Sequence, residues 1–369
     1  MHYTIPKDCC HDHGKRNKFI PVLLLIIFAG WLLFAFMNSS SQDFKVGTVE
    51  EIVNEGYSNE TELELYSQEL KVTTGPGALS KDLNYEFFGN NVKQMSVKEG
   101  QKVVIDDRFD SQITDKYRLL SLVLAMLIFI AVAVVFGGIE AVYSLVGLAF
   151  STIVLIEIVL RGLLNGWPAL LVTVLGASLI AIFSIYLAHG VKKRTTVSVV
   201  AIIATMVISV ILTVFLVDIA HLFGLGSEDA FYLVTDPNNV INLRGILMAG
   251  IIIGTLGVLD DITTSQAAAI DEISKANPSL DSKELYKRGV SIGKEHISSL
   301  INTLFLAYAG ASLPLLIVFV KSDIPAWVLV NNELIAEEII RTVVGSTALV
   351  LAVPITTFLA SRYLRASSK

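Results

Sequence analysis

The sequence predicts a membrane all-α bundle of about eight transmembrane helices, with a small all-β extracytoplasmic domain between the first and second spans. Three observations lead there. Of 369 residues, 53% are apolar and 17% charged, with a mean hydropathy of +0.64; a soluble domain carries about 25% charged residues. The deficit is uneven, with long apolar runs filling the later two-thirds and acidic groups concentrated in residues 38–118. Cations recur at alternate ends of the apolar runs, as they do where loops sort to one side of a bilayer. A net charge of −6 argues against nucleic acid as a partner.

Residues 1–18 form a basic cytoplasmic tail, and 19–37 a first transmembrane anchor. Lys15, Arg16 and Lys18 before an apolar run also suit a signal peptide, but the run is long and Ala35-Phe36-Met37 is a poor cleavage site. The tail carries Cys9, Cys10, His11 and His13, weak candidates for a metal because their spacing matches no compact zinc module. The adjacent pair of cysteines provides no disulfide framework for the domain that follows.

Residues 38–118 read as the extracytoplasmic β domain, with strands near Lys45–Val53, Leu63–Thr73, Asn84–Phe88 and Val103–Asp107. Gly56, Gly75-Pro76-Gly77, Gly89-Asn90-Asn91 and Glu99-Gly100 punctuate them. Short strands over such a length suit a small β-barrel or partial sandwich. Either a rigid scaffold or a ligand-binding barrel fits.

Residues 119–369 then hold a seven-span transmembrane domain, with spans near 119–136, 139–160, 167–188, 196–221, 242–261, 297–320 and 338–361. Lys192-Lys193-Arg194, the stretch with Lys283, Lys287, Arg288 and Lys294, and the tail with Arg362, Arg365 and Lys369 all fall on the side of the N-terminal tail. Both termini are therefore expected to be cytoplasmic. Segment 262–296 reads as a cytoplasmic amphipathic stretch of two helices lying along the membrane surface or against the bundle, broken at Asn277-Pro278 and restarted by Asp281 as N-cap with Glu284 three residues on.

Ionisable groups inside a span are costly and mark candidate sites. Glu157 and Arg161 are spaced to pair on one helix face, and Asp218 with His221 lies near an interface where water suffices. The sixth span is more informative. Gly250 and Gly254 have the spacing of a close helix contact, and Asp260-Asp261 follows some two-thirds of the way down. Adjacent carboxylates there are costly to ionise together, because like charges repel. They point about 100° apart on a helix, with Thr264 and Ser265 on the face of Asp261. A solvated helix end is the competing reading. In the seventh span, His296 and Asn302 are polar, and Gly310 to Pro314 reads Gly-Ala-Ser-Leu-Pro. Pro314 offers no N–H to the carbonyl of Gly310, which fits either a broken helix lining a cavity or a plain kink.

The strings Gly254-Thr-Leu-Gly-Val-Leu-Asp-Asp-Ile-Thr-Thr-Ser-Gln-Ala-Ala, Ile292-Gly-Lys-Glu-His-Ile and Asn302-Thr-Leu-Phe-Leu-Ala-Tyr-Ala-Gly-Ala-Ser-Leu-Pro resemble the bacterial YibE/F family of multipass membrane proteins. The resemblance takes in the anchor, the β domain and the following spans. It implies a bacterial cytoplasmic membrane protein and carries no catalytic residues with it. The layout is also similar to resistance-nodulation-division and SecD/SecF-type permeases, though with two extra spans and no second half.

Two functions follow as expectations. One is a transporter or permease-like protein moving an ion or small solute, coupled to a proton or cation through Asp260 or Asp261. His296, Asn302 and the Gly310–Pro314 break would complete its path. The other is a non-transporting scaffold or sensor whose β domain binds an envelope partner. An enzyme is not expected, since neither a His-Glu-x-x-His nor a Gly-x-Ser-x-Gly site occurs. No cofactor is predicted. The expected partners are the lipid bilayer and either a second copy or a related membrane subunit.

Overall fold

The computed structural model describes residues 43–58, 65–74, 80–88, 96–108, 111–226, 230, 233 and 241–365. The expected anchor at 19–37 and the Cys/His tail lie outside them. The described chain divides into two compact units, one ending at Gly138 and one beginning at Ile139.

The first unit contains one antiparallel sheet: β1 (Phe44–Ser58), β2 (Leu65–Thr73), β3 (Lys81–Phe88), β4 (Lys102–Asp106) and β5 (Gln112–Lys116), in the order β3-β2-β1-β4-β5. Alternate residues of these strands turn inward, as a period of two requires. Tyr66, Leu70, Val72, Leu83, Val103, Ile105 and Ile113 make the apolar core. β5 was not anticipated, because Gln112-Ile-Thr-Asp-Lys carries a single apolar residue. The two outermost strands, β3 and β5, share no ladder. The sheet is therefore a half-barrel, which corrects the β-barrel among the two forms expected.

Two polar groups organise this core. Gln68 is fully buried; its Oε1 accepts from the Val97 N–H at 2.7 Å and its Nε2 donates to the Val97 carbonyl at 3.2 Å. Tyr66 donates to Glu55 Oε2 at 2.7 Å. Burial, and then that carboxylate, push the Tyr66 hydroxyl up to about 12.

Helix α1 (Leu119–Val154) crosses from the first unit to the second, with a non-helical residue at Gly138 (φ 59°, ψ −140°). Its continuation through a π-helical turn (Leu155–Leu160) and α2 (Arg161–Leu164) makes a 46-residue apolar stretch. At ~1.5 Å per residue that is over twice a hydrocarbon core. The sequence reading placed two spans in it, divided where Gly138 interrupts the helix.

The second unit continues with α3 (Ala169–His189), α4 (Lys193–Ile219), α5 (Leu243–Ala276), α6 (Ser282–Ala311), α7 (Leu313–Lys321), α8 (Ala326–Val330) and α9 (Glu333–Tyr363). Ile202, Met206, Ile252, Leu259, Ile262, Ala348, Ala352 and Val353 form its central core, where α4, α5 and α9 meet. Among the described residues, five helices are long and apolar enough to cross a membrane, or six if the bent pair α6–α7 is one span.

Segment 262–296 packs against the bundle, one of the two places its pattern allowed. Residues 262–276 prolong α5, and 282–296 begin α6. Buried Gln266, Ala267, Ile270 and Ser274 on one side and Gly289 and Gly293 on the other explain why. The amphipathic pattern faces the protein, and Ser274 donates to the carbonyl of Leu364 at the end of α9. Asp281 does cap α6, accepting from the Glu284 N–H at 2.7 Å.

Candidate functional site

The acidic pair sits on α5, one turn before its most polar stretch. Asp260 is half-buried and Asp261 is exposed, as neighbours about 100° apart must differ on a packed helix. Neither carboxylate has a cationic partner among the described residues. Thr264 donates its hydroxyl proton to the carbonyl of Asp260 at 2.8 Å, and Ser265 to that of Asp261 at 2.7 Å. Both hydroxyl oxygens keep lone pairs with which to accept or coordinate.

Among the described residues no hydrogen bond or ion pair links His296 or Asn302 to the pair. His296 and Asn302 are exposed on α6, and Gly310 and Pro314 are exposed at its end. Near Gly310 the chain breaks rather than kinks. α6 ends at Ala311, and α7 leaves at 70° with Pro314 in its first turn, where a missing N–H costs nothing.

What α5 does contact is different from the contacts its sequence advertises. A Cβ at Gly250 would meet nothing within 4 Å, and one at Gly254 would meet only the Tyr308 hydroxyl at 3.5 Å. The close approach belongs to Gly289 and Gly293 of α6. A Cβ at Gly293 would fall 2.2 Å from Val353 Cγ1, and one at Gly289 would fall 2.7 Å from Thr357 Cγ2. Over this contact lies Gln266, 3% exposed, which donates at 2.8 Å to both the Gly289 carbonyl and Thr357 Oγ1. One side chain thus ties three helices together. Its signal was present in the sequence as a lone amide between Ile262 and Ile270, together with a second Gly-x-x-x-Gly at 289–293.

At the opposite end of the bundle, Glu333 in the first turn of α9 accepts from the N–H groups of Phe223, Gly224 and Leu225 at 2.6, 2.9 and 3.2 Å. Glu337, one turn on, accepts from Gly226 at 3.0 Å. Nearby, Asp218 pairs with Arg244 at 2.8 Å, so a neighbouring helix rather than water alone answers its charge. Glu157 and Arg161 pair at 2.7 Å as their spacing predicted.

No group of three or more His, Cys, Asp or Glu side chains among the described residues could hold a metal ion. Cys9, Cys10, His11 and His13 lie outside those residues.

The family model for YibE/F-like proteins matches residues 125–366. The chain belongs to the YibE/F family. The match runs from α1 to the end of α9, so this YibE/F assignment rests on the bundle and not on the sheet. Comparison with curated proteins and with solved structures finds no match. Family membership and the apolar helices together are those of a multipass membrane protein.

Proposed function

We propose that this YibE/F protein lies in the bacterial cytoplasmic membrane with about eight spans and moves an ion or small solute, using Asp260 as the group that takes a proton or cation. The observation that carries this reading is a half-buried carboxylate in an apolar helix with no cation paired to it among the described residues. Such groups are expensive in hydrocarbon and are retained where a pathway uses them.

Depth supports it. Ser198 of α4 donates to the Thr263 carbonyl of α5 at 3.2 Å. These helices run antiparallel, so the basic Lys192–Arg194 turn falls about 10 Å beyond Asp260 along α5. With that turn on the cytoplasmic side, Asp260 would lie one to two turns inside the membrane. Thr264 and Ser265 supply hydroxyl oxygens on the cytoplasmic side of the pair, and Asp261 a second carboxylate. In this reading the α6–α7 break at Gly310–Pro314 is a hinge, and no catalytic residue or cofactor is needed.

The test is flux in proteoliposomes, with protons, sodium and magnesium followed by entrapped dyes. Asp260→Asn should abolish the flux that the native protein supports, and Asp260→Glu should preserve part of it. Undiminished flux in the Asp260→Asn, Asp261→Asn double variant would remove this site. A second reading, a scaffold or sensor, draws on Val46, Val53 and Tyr57, exposed apolar side chains along β1. Photocrosslinking from Val53 that captures an envelope component, in a protein without flux, would favour it.

A further inference from the structure

α9 brings a second charged group into the bundle, well away from the acidic pair. A Cβ at Gly345 would lie 3.9 Å from both Thr255 Oγ1 of α5 and the Tyr308 hydroxyl of α6, so three helices meet at this point. Further along, Thr357 of α9 takes its hydrogen bond from Gln266 of α5. The two helices therefore run side by side in one direction, and Arg341, a turn before Gly345, is level with about Ile251. That places it ~14 Å from Asp260 and ~12 Å below the start of α9 at Glu333. Glu338 and Arg341 share the Gly345 face of α9 by their spacing of three and four. Both lie within electrostatic reach of the Tyr308 hydroxyl.

The chain leaves this guanidinium underused. Its Nε is buried and has no hydrogen-bond partner. Glu338 Oε1 stands 3.7 Å away, too far for a hydrogen bond. Glu337 turns instead to the Gly226 N–H at 3.0 Å. Arg161 and Arg244, by contrast, each reach a carboxylate oxygen within 2.8 Å. A charged donor without an acceptor is costly where water is scarce, and an arginine inside a span marks a site by default. Tyr308 adds an O–H donor at the same junction, facing glycines: a Cβ at Gly254 would be 3.5 Å from its hydroxyl. There is room beside it as well. A Cβ at Gly250 or Gly257, a turn either side of Gly254, or at Gly310, would meet nothing within 4 Å.

Unmet donors around a fixed positive charge call for an oxyanion. A carboxylate or phosphate offers paired oxygens to the guanidinium fork and a further lone pair to a phenol. We propose that Arg341 and Tyr308 bind the carboxylate or phosphate group of a ligand where α5, α6 and α9 meet. The site stands without Asp260 and without transport.

Thermal unfolding of the full chain in detergent, with no added lipid and at constant ionic strength, tests it. The probes are inorganic phosphate, succinate and dihexanoyl phosphatidylglycerol. At least one should raise the unfolding temperature progressively with concentration, as a ligand of the folded state does. A response to phosphate or succinate names a free solute, and a response to the lipid alone names a headgroup. Arg341→Gln should weaken that binding at least about tenfold. Arg341→Lys should recover only part of it, because the fork is lost. Tyr308→Phe should weaken it several-fold. Glu338→Gln removes the carboxylate that competes for Arg341 and should tighten binding several-fold, a gain that damage to the fold cannot mimic. The proposal fails if no probe acts, if sodium chloride acts equally, if Arg341→Gln responds as the native chain does, or if Glu338→Gln weakens binding. Asp260→Asn should bind like the native chain, so failure here beside intact Asp260-dependent flux leaves the transport reading standing.

Discussion

Glycines with the same sequence spacing carry opposite structural burdens in this protein. Gly293 admits no side chain beside Val353, whereas a methyl at Gly250 meets open space. Gly293→Ala should therefore cost about 1–3 kcal/mol through overpacking. Gly250→Ala should be neutral or add up to about 1 kcal/mol by removing backbone freedom. Thermal unfolding of the detergent-solubilised chain compares the two directly. Charge at the residue scale is most legible in the sheet. Arg108 grips Asp106 with Nε at 3.0 Å and Nη2 at 2.7 Å, and that hydrogen bonding holds the carboxyl below the usual carboxylate range. Lys45 and Ser111 do the same for Asp107, and Arg118 for Asp115. A depressed folded pKa stabilises above the unfolded value near ~3.9 and loses its effect as pH falls through the folded one. Hydrogen-exchange protection of β4 and β5, corrected for intrinsic rate, should thus decline on acidification below about pH 4. Arg108→Gln should flatten the part of that decline due to Asp106.

Among the elements, helices were easier to read than their ends and partners. The apolar runs after the β domain fixed where α3, α4, α5 and α9 lie, because a window of nearly continuous Leu, Ile and Val has few other solutions. Ala267 to Ile273 left two places open, since its amphipathic pattern suits a membrane surface and a protein flank equally well. Only the position of Gly289 and Thr357, distant in sequence, decides between them. The same limit hid Glu333, whose partners are backbone N–H groups more than a hundred residues earlier. Of the candidate site, the position of the acidic pair on its helix was readable, and the exposure of His296 and Asn302 was not. Periodicity assigns a face to each helix but not the neighbour that occupies it. Pro314 allowed two readings, and the break followed because Ser312 ends one helix and Leu313 opens the next. Pro314→Ala restores a donor for the Gly310 carbonyl and should let α6 run on into α7. Spin labels at Ile301 and Val320 should then move from about 23 Å apart toward about 29 Å, the span of a straight helix at ~1.5 Å per residue. An unchanged separation would mean that packing, not proline, sets the bend.

For the molecule as a whole, the proposed topology predicts a strict pattern of accessibility. In intact cells, a cysteine at Lys98 in the sheet should react with an impermeant maleimide. Cysteines at Lys193 and Lys283 should react only after permeabilisation. Labelling of Lys193→Cys from outside would invert the arrangement. The order of synthesis meets the architecture in a further way. α9 is made after α4, α5 and α6, yet it packs against all three and holds the far end of α4 through Glu333. Chains begin to fold from the N-terminus during synthesis, so the earlier helices wait in the bilayer with Gln266 and Ser274 lacking their α9 partners. A ribosome that stops before residue 333 releases an arch without its keystone. Such a fragment should be cleared by membrane proteases within minutes, and supplying residues 333–369 as a separate polypeptide should rescue it.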